Sequence, residues 1–243
     1  MPLFFLPKAE PEDGVLTLRA EDSHHVALSL RMACGDEITV SDGEGTLYAC
    51  TLDSITPEEV RARVLSCAKS ETEPPYRLTL YQAVPKNDKL ELIIQKAVEL
   101  GVTEIVPFVS AFCVKSPHED KWQKQSARLS RIAEEAAKQC KRGCIPTVAP
   151  LLDYEEMLAH AQKAELSLFC YEGEGTRPLP LCLPDQAPRS IAVIIGSEGG
   201  FSEKEAAKAR TEGLTLCGLG KRILRCETAP LFALSALSFK YEI

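Results

Sequence analysis

No stretch of this 243-residue chain is apolar for long enough to cross a bilayer, and no internal repeat or low-complexity run is visible. The opening residues, MPLFFLPKAEPEDG, turn acidic too soon for a secretory leader, so a cytoplasmic protein without a membrane partner is expected. C-x-x-C is missing among the ten cysteines, and Cys140 and Cys144 lack a second pair at finger spacing. No metal is therefore expected, and the cysteines read as reduced, mostly small core residues. A Walker A loop is absent because Gly200 precedes Phe201 and Ser202 rather than Lys and Ser/Thr. Gly218-x-Gly220-x-x-Ile223 lacks the third glycine of a dinucleotide fingerprint. A phosphate-binding loop is thus disfavoured. A basic excess is missing too: the net charge is −7, which counts against a simple electrostatic footprint for nucleic acid. Residues 1–70 hold 6 Lys and Arg against 12 Asp and Glu, leaving the remainder nearly neutral at 22 against 23. Any polyanion must meet local basic surface, mostly beyond residue 70.

What is present divides into two parts, 1–72 and 76–243. Runs at 15–18, 37–40, 46–52 and 60–65 read as strands of a small barrel-like domain, with Asp42-Gly43 as a hairpin signal. His24 and His25 begin an apolar-periodic stretch reaching Leu30 and Met32, expected as one helix. Glu71–Pro75, with Pro74-Pro75, reads as the linker. Strand then alternates with helix: strands at 77–84, 104–109, 166–171, 190–196 and 214–218, and helices at 88–100, 122–140, 154–163, 203–212 and 229–241. Such alternation indicates an α/β domain with a mainly parallel sheet.

Two segments concentrate the chemistry, IIGSEGGFSEKE (194–205) and LGKRILRCETA (219–229). Each reads as a strand entering a glycine-bearing turn that opens a helix, which exposes backbone N–H groups to a small ligand. Ser202 and Glu205 have capping-box spacing. Either turn alone is an ordinary strand–helix junction, with glycine supplying positive φ. Together they suggest one composite pocket, in which Ile223, Leu224 and backbone carbonyls could frame an adenine ring. Arg225 and Glu227 could equally be a surface pair worth at most about 1 kcal/mol.

These two segments, with IIQKAVELGVTEIVPF (93–108), EEAAKQCKR (134–142) and HHVALSLRMACGDEITVSDGEG near the start, closely resemble the RsmE family. Its members are bacterial 16S rRNA uridine-N3 methyltransferases of the SPOUT class. The resemblance implies a PUA-like β-barrel followed by a SPOUT α/β domain with a C-terminal trefoil knot. It also implies S-adenosylmethionine (SAM) as methyl donor, a homodimer, and 16S rRNA or the assembled small ribosomal subunit as partner. Carried over by motif, cofactor contacts are expected at Phe169, Tyr171, Gly196, Glu198, Gly199, Gly200, Leu219, Gly220, Ile223, Leu224, Arg225 and Thr228. Three departures stand out: Ser197 replaces a common proline, which should loosen its loop; Ser110-Ala111-Phe112 replaces a Glu-Arg-Ser-like segment; and Leu3 replaces an N-terminal arginine.

For uridine N3 to attack, its proton must leave, and the resulting charge spreads onto O2 and O4. Arg225 is the candidate cation for those oxygens, and Glu227 either orients Arg225 or accepts the proton. Cys226 lies in the same loop, but attack from nitrogen needs no thiolate adduct, so packing is the expected role. Candidate RNA contacts are His24 and Arg31, then Lys86, Lys89 and Lys96, and a helical stripe of Lys138, Lys141 and Arg142. A solvated helix face is the alternative for that stripe. A non-catalytic RNA-binding or assembly protein and a ribose 2′-O methyltransferase remain alternative functions.

Overall fold

Alternating burial along residues 37–69 builds an antiparallel meander of β3 (Glu37–Ser41), β4 (Thr46–Ile55) and β5 (Val60–Lys69). Its first turn is the expected one: Asp42 Oδ1 accepts from the backbone N–H groups of Glu44 and Thr46 at 2.8 and 2.9 Å. This computed structural model describes residues 1–113 and 119–243. The chain forms two units, Met1–Glu73 with Ala137–Ile145, and Pro74–Ala136 with Pro146–Ile243.

In the first unit, β1 (Leu3–Phe5) lies parallel to β3, and β2 (Val15–Thr17) lies antiparallel to β5. The order β1-β3-β4-β5-β2 makes a curled, half-barrel sheet with β1 and β2 at its edges. Register shifts at Ala49/Cys50 and Leu52/Ser54 bend it. Phe4, Leu16, Val26, Ile38, Val40, Leu52 and Val60 fill its concave core. The expected helix at 24–32 starts earlier: α1 (Ala20–His24) runs into a π-helical stretch, His25–Ser29. Ser23 explains the early start, because its buried hydroxyl accepts from Val60 N at 3.0 Å and pins α1 to the sheet.

Residues 137–145 belong to this unit as well. The Gly143 carbonyl accepts from Ser41 Oγ at 2.6 Å and Gly45 N at 3.2 Å, while Ile145 N donates to the Gly43 carbonyl at 3.2 Å. A side chain at 143 would overlap Ser70 Cβ, so only glycine allows this approach.

The second unit carries a seven-stranded sheet: β6 (Arg77–Ala83), β7 (Glu104–Phe108), β8 (Thr147–Val148), β9 (Leu166–Cys170), β10 (Arg177–Pro178), β11 (Ser190–Ile195) and β12 (Thr215–Gly218). The order is β10-β12-β9-β11-β6-β7-β8, and every pairing is parallel. The helices are α2 (Lys89–Glu99), α3 (Glu119–Gln139), α4 (Tyr154–Ala161), α5 (Leu179–Cys182), α6 (Glu203–Thr211) and α7 (Thr228–Tyr241). In α2 the apolar spacing places Leu90, Ile93, Ile94, Ala97 and Val98 on the buried face. The sequence reading passed over β8, β10 and α5, which are two to four residues long and too short to show a period.

Because β12, β9 and β11 are neighbours and parallel, their carboxyl ends reach the same sheet edge. Loops from three distant parts of the chain meet there, where open α/β sheets place their ligands.

Candidate functional site

The loops after β9, β11 and β12 surround one cavity of about 480 Å³. Cys170–Glu172 and Thr176 come from the first loop, Ile195–Glu198 and Gly200 from the second, and Gly218–Cys226 from the third. The second loop closes on itself, with Gly200 N donating to the Ser197 carbonyl at 3.0 Å, and Gly200 sits at φ 65°. A Cβ on Gly200 would lie 2.7 Å from a Glu172 carboxylate oxygen, and one on Gly196 would lie 2.9 Å from the Gly200 backbone. The loop is further held by Gln82 Nε2, which donates to the Gly196 carbonyl at 3.2 Å. The Ser202–Glu205 capping box forms as expected, and Glu205 Oε1 also accepts from Ala111 N at 2.9 Å. This loop is therefore well braced despite lacking proline. Ser197, 6% exposed, lines the cavity, and its buried hydroxyl has no hydrogen-bond partner among the described residues.

Of the carried-over cofactor positions, Tyr171, Gly196, Glu198, Gly200, Leu219, Gly220, Ile223, Leu224 and Arg225 line the cavity. Phe169 does not: it faces the core and packs against Phe201 with ring centroids 4.2 Å apart. It is the fourth residue of β9, where successive side chains take opposite faces of the sheet, and its own takes the face that holds Phe201. Gly199 faces Phe112 instead, where a Cβ would meet Phe112 Cβ at 2.7 Å. Thr228 opens α7, its N–H donating to the Arg225 carbonyl at 2.8 Å.

Sequence reasoning grouped Lys89 with the RNA contacts, but the structure brings it to the cavity. Lys89 Nζ lies 3.0 Å from Glu198 Oε1, 3.2 Å from Glu227 Oε2 and 3.8 Å from Cys226 Sγ. Glu198 also accepts from Lys86 N at 3.1 and 3.3 Å. Burial works against its charge, but the bonds from Lys89 and Lys86 prevail and hold the carboxyl below its ordinary value. Glu227 is likewise held low, by its own backbone N–H against burial and then by Cys226 and Lys89. Lys89 is held high, first by Glu198 and, against a burial effect, by Glu227. The Arg225–Glu227 pair weighed from the sequence does not form; Glu227 is engaged instead by Lys89 and by the Cys226 thiol, 3.2 Å away. Its depressed pKa also makes Glu227 a weak base. Burial, then Glu227 and Glu198, push the Cys226 thiol up to about 12, so it stays protonated at neutral pH. That fits packing and not nucleophilic attack. Arg225 is exposed at the cavity, and no side-chain hydrogen bond or ion pair engages it among the described residues.

A family profile described as an RNA methyltransferase domain matches residues 72–238, and one described as an RNA methyltransferase PUA domain matches 18–65. Ribosomal RNA small subunit methyltransferase E of Bacillus subtilis is 33% identical over 98% of this chain and 95% of its own length. This chain belongs to the ribosomal RNA small subunit methyltransferase E family. The Neisseria gonorrhoeae methyltransferase E, solved bound to S-adenosyl methionine, superposes with a TM-score of 0.83 at 30% identity, covering 98% of this chain and 97% of that one. A Legionella pneumophila methyltransferase, also solved with SAM, gives 0.87 at 30% identity, covering 98% and 96%. Methyltransferase E relatives thus match both units, and the RNA methyltransferase profile spans the whole cavity.

The RNA candidates fare unevenly. The stripe of Lys138, Lys141 and Arg142 does not form, because α3 ends at Gln139 and Lys141 turns to φ 61°. Arg142 is 3% exposed and ion-paired with Glu73 at 2.6 Å; the same carboxylate accepts from Gly143 N and Cys144 N at 3.0 and 3.1 Å. Lys138 lies 3.5 Å from Asp22. Lys96 pairs with Glu99 at 2.7 Å. His24, Arg31, Lys86 and Lys141 are exposed. Glu172, Ser197, Lys221 and Arg222 also line the cavity, inside the turns at 169–172, 196–200 and 219–225 that the family resemblance implies, and only Thr176 among these lies outside them. Ser197, Lys221 and Arg222 lay inside the motifs already singled out, whereas Thr176 joins the cavity only through the strand order. Of the cysteines, Cys50, Cys170, Cys182, Cys217 and Cys226 are buried and Cys34 and Cys67 exposed.

Proposed function

We propose that this protein methylates N3 of a uridine in 16S rRNA, with SAM as donor. The observation that carries the reading is the exposed, unpartnered Arg225 in a cavity built by the three strand-end loops of a methyltransferase E family member. The cavity suits the donor. Its size lies within the usual range for small-molecule sites, roughly 300–1,000 Å³. Glycines at 196, 200 and 218 leave backbone room, and Ile195, Leu219, Ile223 and Leu224 offer apolar surface for an adenine. Tyr171, Glu172, Thr176 and the unpartnered Ser197 hydroxyl offer polar groups for the ribose and amino-acid portions. When bound, SAM supplies a methyl group on a cationic sulfur, activated for transfer to a nucleophile.

The chain's own part is to favour the uridine anion. The Arg225 guanidinium presents a planar fork to O2 and O4, where the negative charge accumulates as the N3 proton leaves. Its permanent charge rules it out as the base. Glu227, held low and bonded to Lys89 and the Cys226 thiol, is a poor acceptor for that proton, which passes to solvent.

The same proposal extends to the assembly and its setting. A homodimer is supported by apolar residues left exposed around α2 and α7, namely Leu92, Phe232 and Phe239, the last 74% exposed. A trefoil knot around β9, β11 and β12 is supported by the family and by the insertion of β12 between β10 and β9. No helix among the described residues is long and apolar enough to cross a membrane, and a cytoplasmic location accords with a ribosomal substrate. The deciding experiment incubates unmethylated small subunits with labelled SAM and maps the modified nucleoside by mass spectrometry. Methyl on uracil N3 is expected; methyl on ribose, or none, overturns the proposal.

A further inference from the structure

Lys89, the first residue of α2, bridges two carboxylates that come from different loops. Glu198 belongs to the loop after β11, and Glu227 immediately precedes α7 at the end of the loop after β12. Both contact the same ammonium, at 3.0 and 3.2 Å, so the two oxygens are at most about 6.2 Å apart, the sum of those distances. The side chains of Lys89, Glu198 and Glu227 are 30%, 27% and 19% exposed, so water screens these charges incompletely. Two like charges this close oppose each other's ionisation unless a cation offsets them. Their other contacts are unequal. Glu198 also accepts from Lys86 N, whereas Glu227 has besides Lys89 the Cys226 thiol and its own backbone N–H. Glu227 is therefore the carboxylate that depends more on Lys89.

We propose that Lys89 is a positioning residue for the cofactor cavity: its ammonium neutralises Glu198 and Glu227 and so lets the loops after β11 and β12 stand side by side. The inference rests on reading this cavity as the SAM site and concerns cofactor affinity, ahead of any chemistry. Without the ammonium the cavity has two courses. The loops separate and lose cofactor contacts, or they stay together with one carboxylate protonated. In that variant the carboxyl pKa is higher with the loops together than with them apart, so protonation favours the closed cavity. Affinity lost at neutral pH then returns as pH falls through the raised pKa. In the wild type both carboxyls are held below their ordinary value, so no such dependence arises near neutrality. Lys89, Glu198, Glu227 and the Cys226 thiol are the titratable groups that meet here, and the thiol stays protonated across that range.

The test measures SAM affinity by calorimetry at about pH 8 and about pH 5 in wild type, K89M, K89R and K89M/E227Q. K89M is expected to bind about tenfold more weakly than wild type at the higher pH, and within about threefold of it at the lower. K89R keeps the charge and should stay within about threefold of wild type at both. K89M/E227Q should regain most of the affinity and lose the added pH dependence, because one of the two like charges is gone. The side-chain carboxyl signal of Glu227 in the ligand-free protein gives a readout without cofactor. It should titrate higher in K89M than in wild type or K89R. If K89M does not fold, K89Q takes its place. Affinity unchanged in K89M, lost equally at both pH values, or not recovered with E227Q overturns the inference, as does a Glu227 titration unmoved by K89M. Wild-type protein that binds no SAM overturns the functional reading instead, while the Glu227 titration still decides whether Lys89 neutralises that carboxylate.

Discussion

Residues 137–145 and 219–227 look alike as text: each holds three cations, a glycine and at least one cysteine, and each lies at the end of a regular element. In the structure they are opposites. The first gives its charges to acidic partners of the small unit, Lys138 to Asp22 and Arg142 to Glu73, and its glycine allows a close backbone approach. The second turns Lys221, Arg222 and Arg225 out at the cavity, with Ile223 86% exposed beside them. The difference teaches that a basic run marks a binding surface only where its charges lack carboxylate partners. It also explains part of the small unit's acidity: residues 1–73 carry carboxylates that the later segment neutralises.

The largest effect that would break this contrast is expected at Arg142. Removing it strands a half-buried Glu73, and R142A should lose about 3–4 kcal/mol in denaturant unfolding. The salt dependence of RNA binding should meanwhile keep its slope. A flattened slope with intact stability would return Arg142 to the RNA surface. R225A should do the reverse, losing about a hundredfold in turnover, roughly 2.7 kcal/mol, while folding and cofactor binding persist. Unchanged turnover at saturating RNA would remove Arg225 from the chemistry.

Smaller effects sharpen the comparison. G143A forces a methyl group against Ser70, and a loss of about 2 kcal/mol in unfolding free energy is expected from such overpacking. No loss would mean that the 137–145 segment is loosely seated. S197A removes a buried hydroxyl without a partner, so the ligand-free protein should gain about 1 kcal/mol in stability. Calorimetry should at the same time show weaker cofactor binding. Unchanged affinity would take Ser197 out of the cofactor site.

Much of the large unit was legible because its signals are local. The continuous apolar run of β11, the Ser202–Glu205 box and the spacing of α2 each depend on neighbours a few residues apart. The small unit's hairpin turn at Asp42 was legible for the same reason. Phe169 misled because a motif indicates which loop reaches a site but not which face of the preceding strand a side chain takes. Lys89 misled because its partners lie 109 and 138 positions further along the chain, beyond the reach of any helical or strand period. The early start of α1 was hidden for a similar reason, since its anchor, Ser23, bonds to a strand 37 residues away.

By itself the sequence determined the α/β class, the two glycine turns and the Ser202–Glu205 cap, because these rest on short-range patterns of burial and backbone conformation, while the family followed from the resemblance of its motifs. Only the tertiary structure decided which cations are spent on carboxylates and which face the cavity. Charge is felt through space, and parallel pairing of β12, β9 and β11 puts groups side by side that the chain keeps far apart.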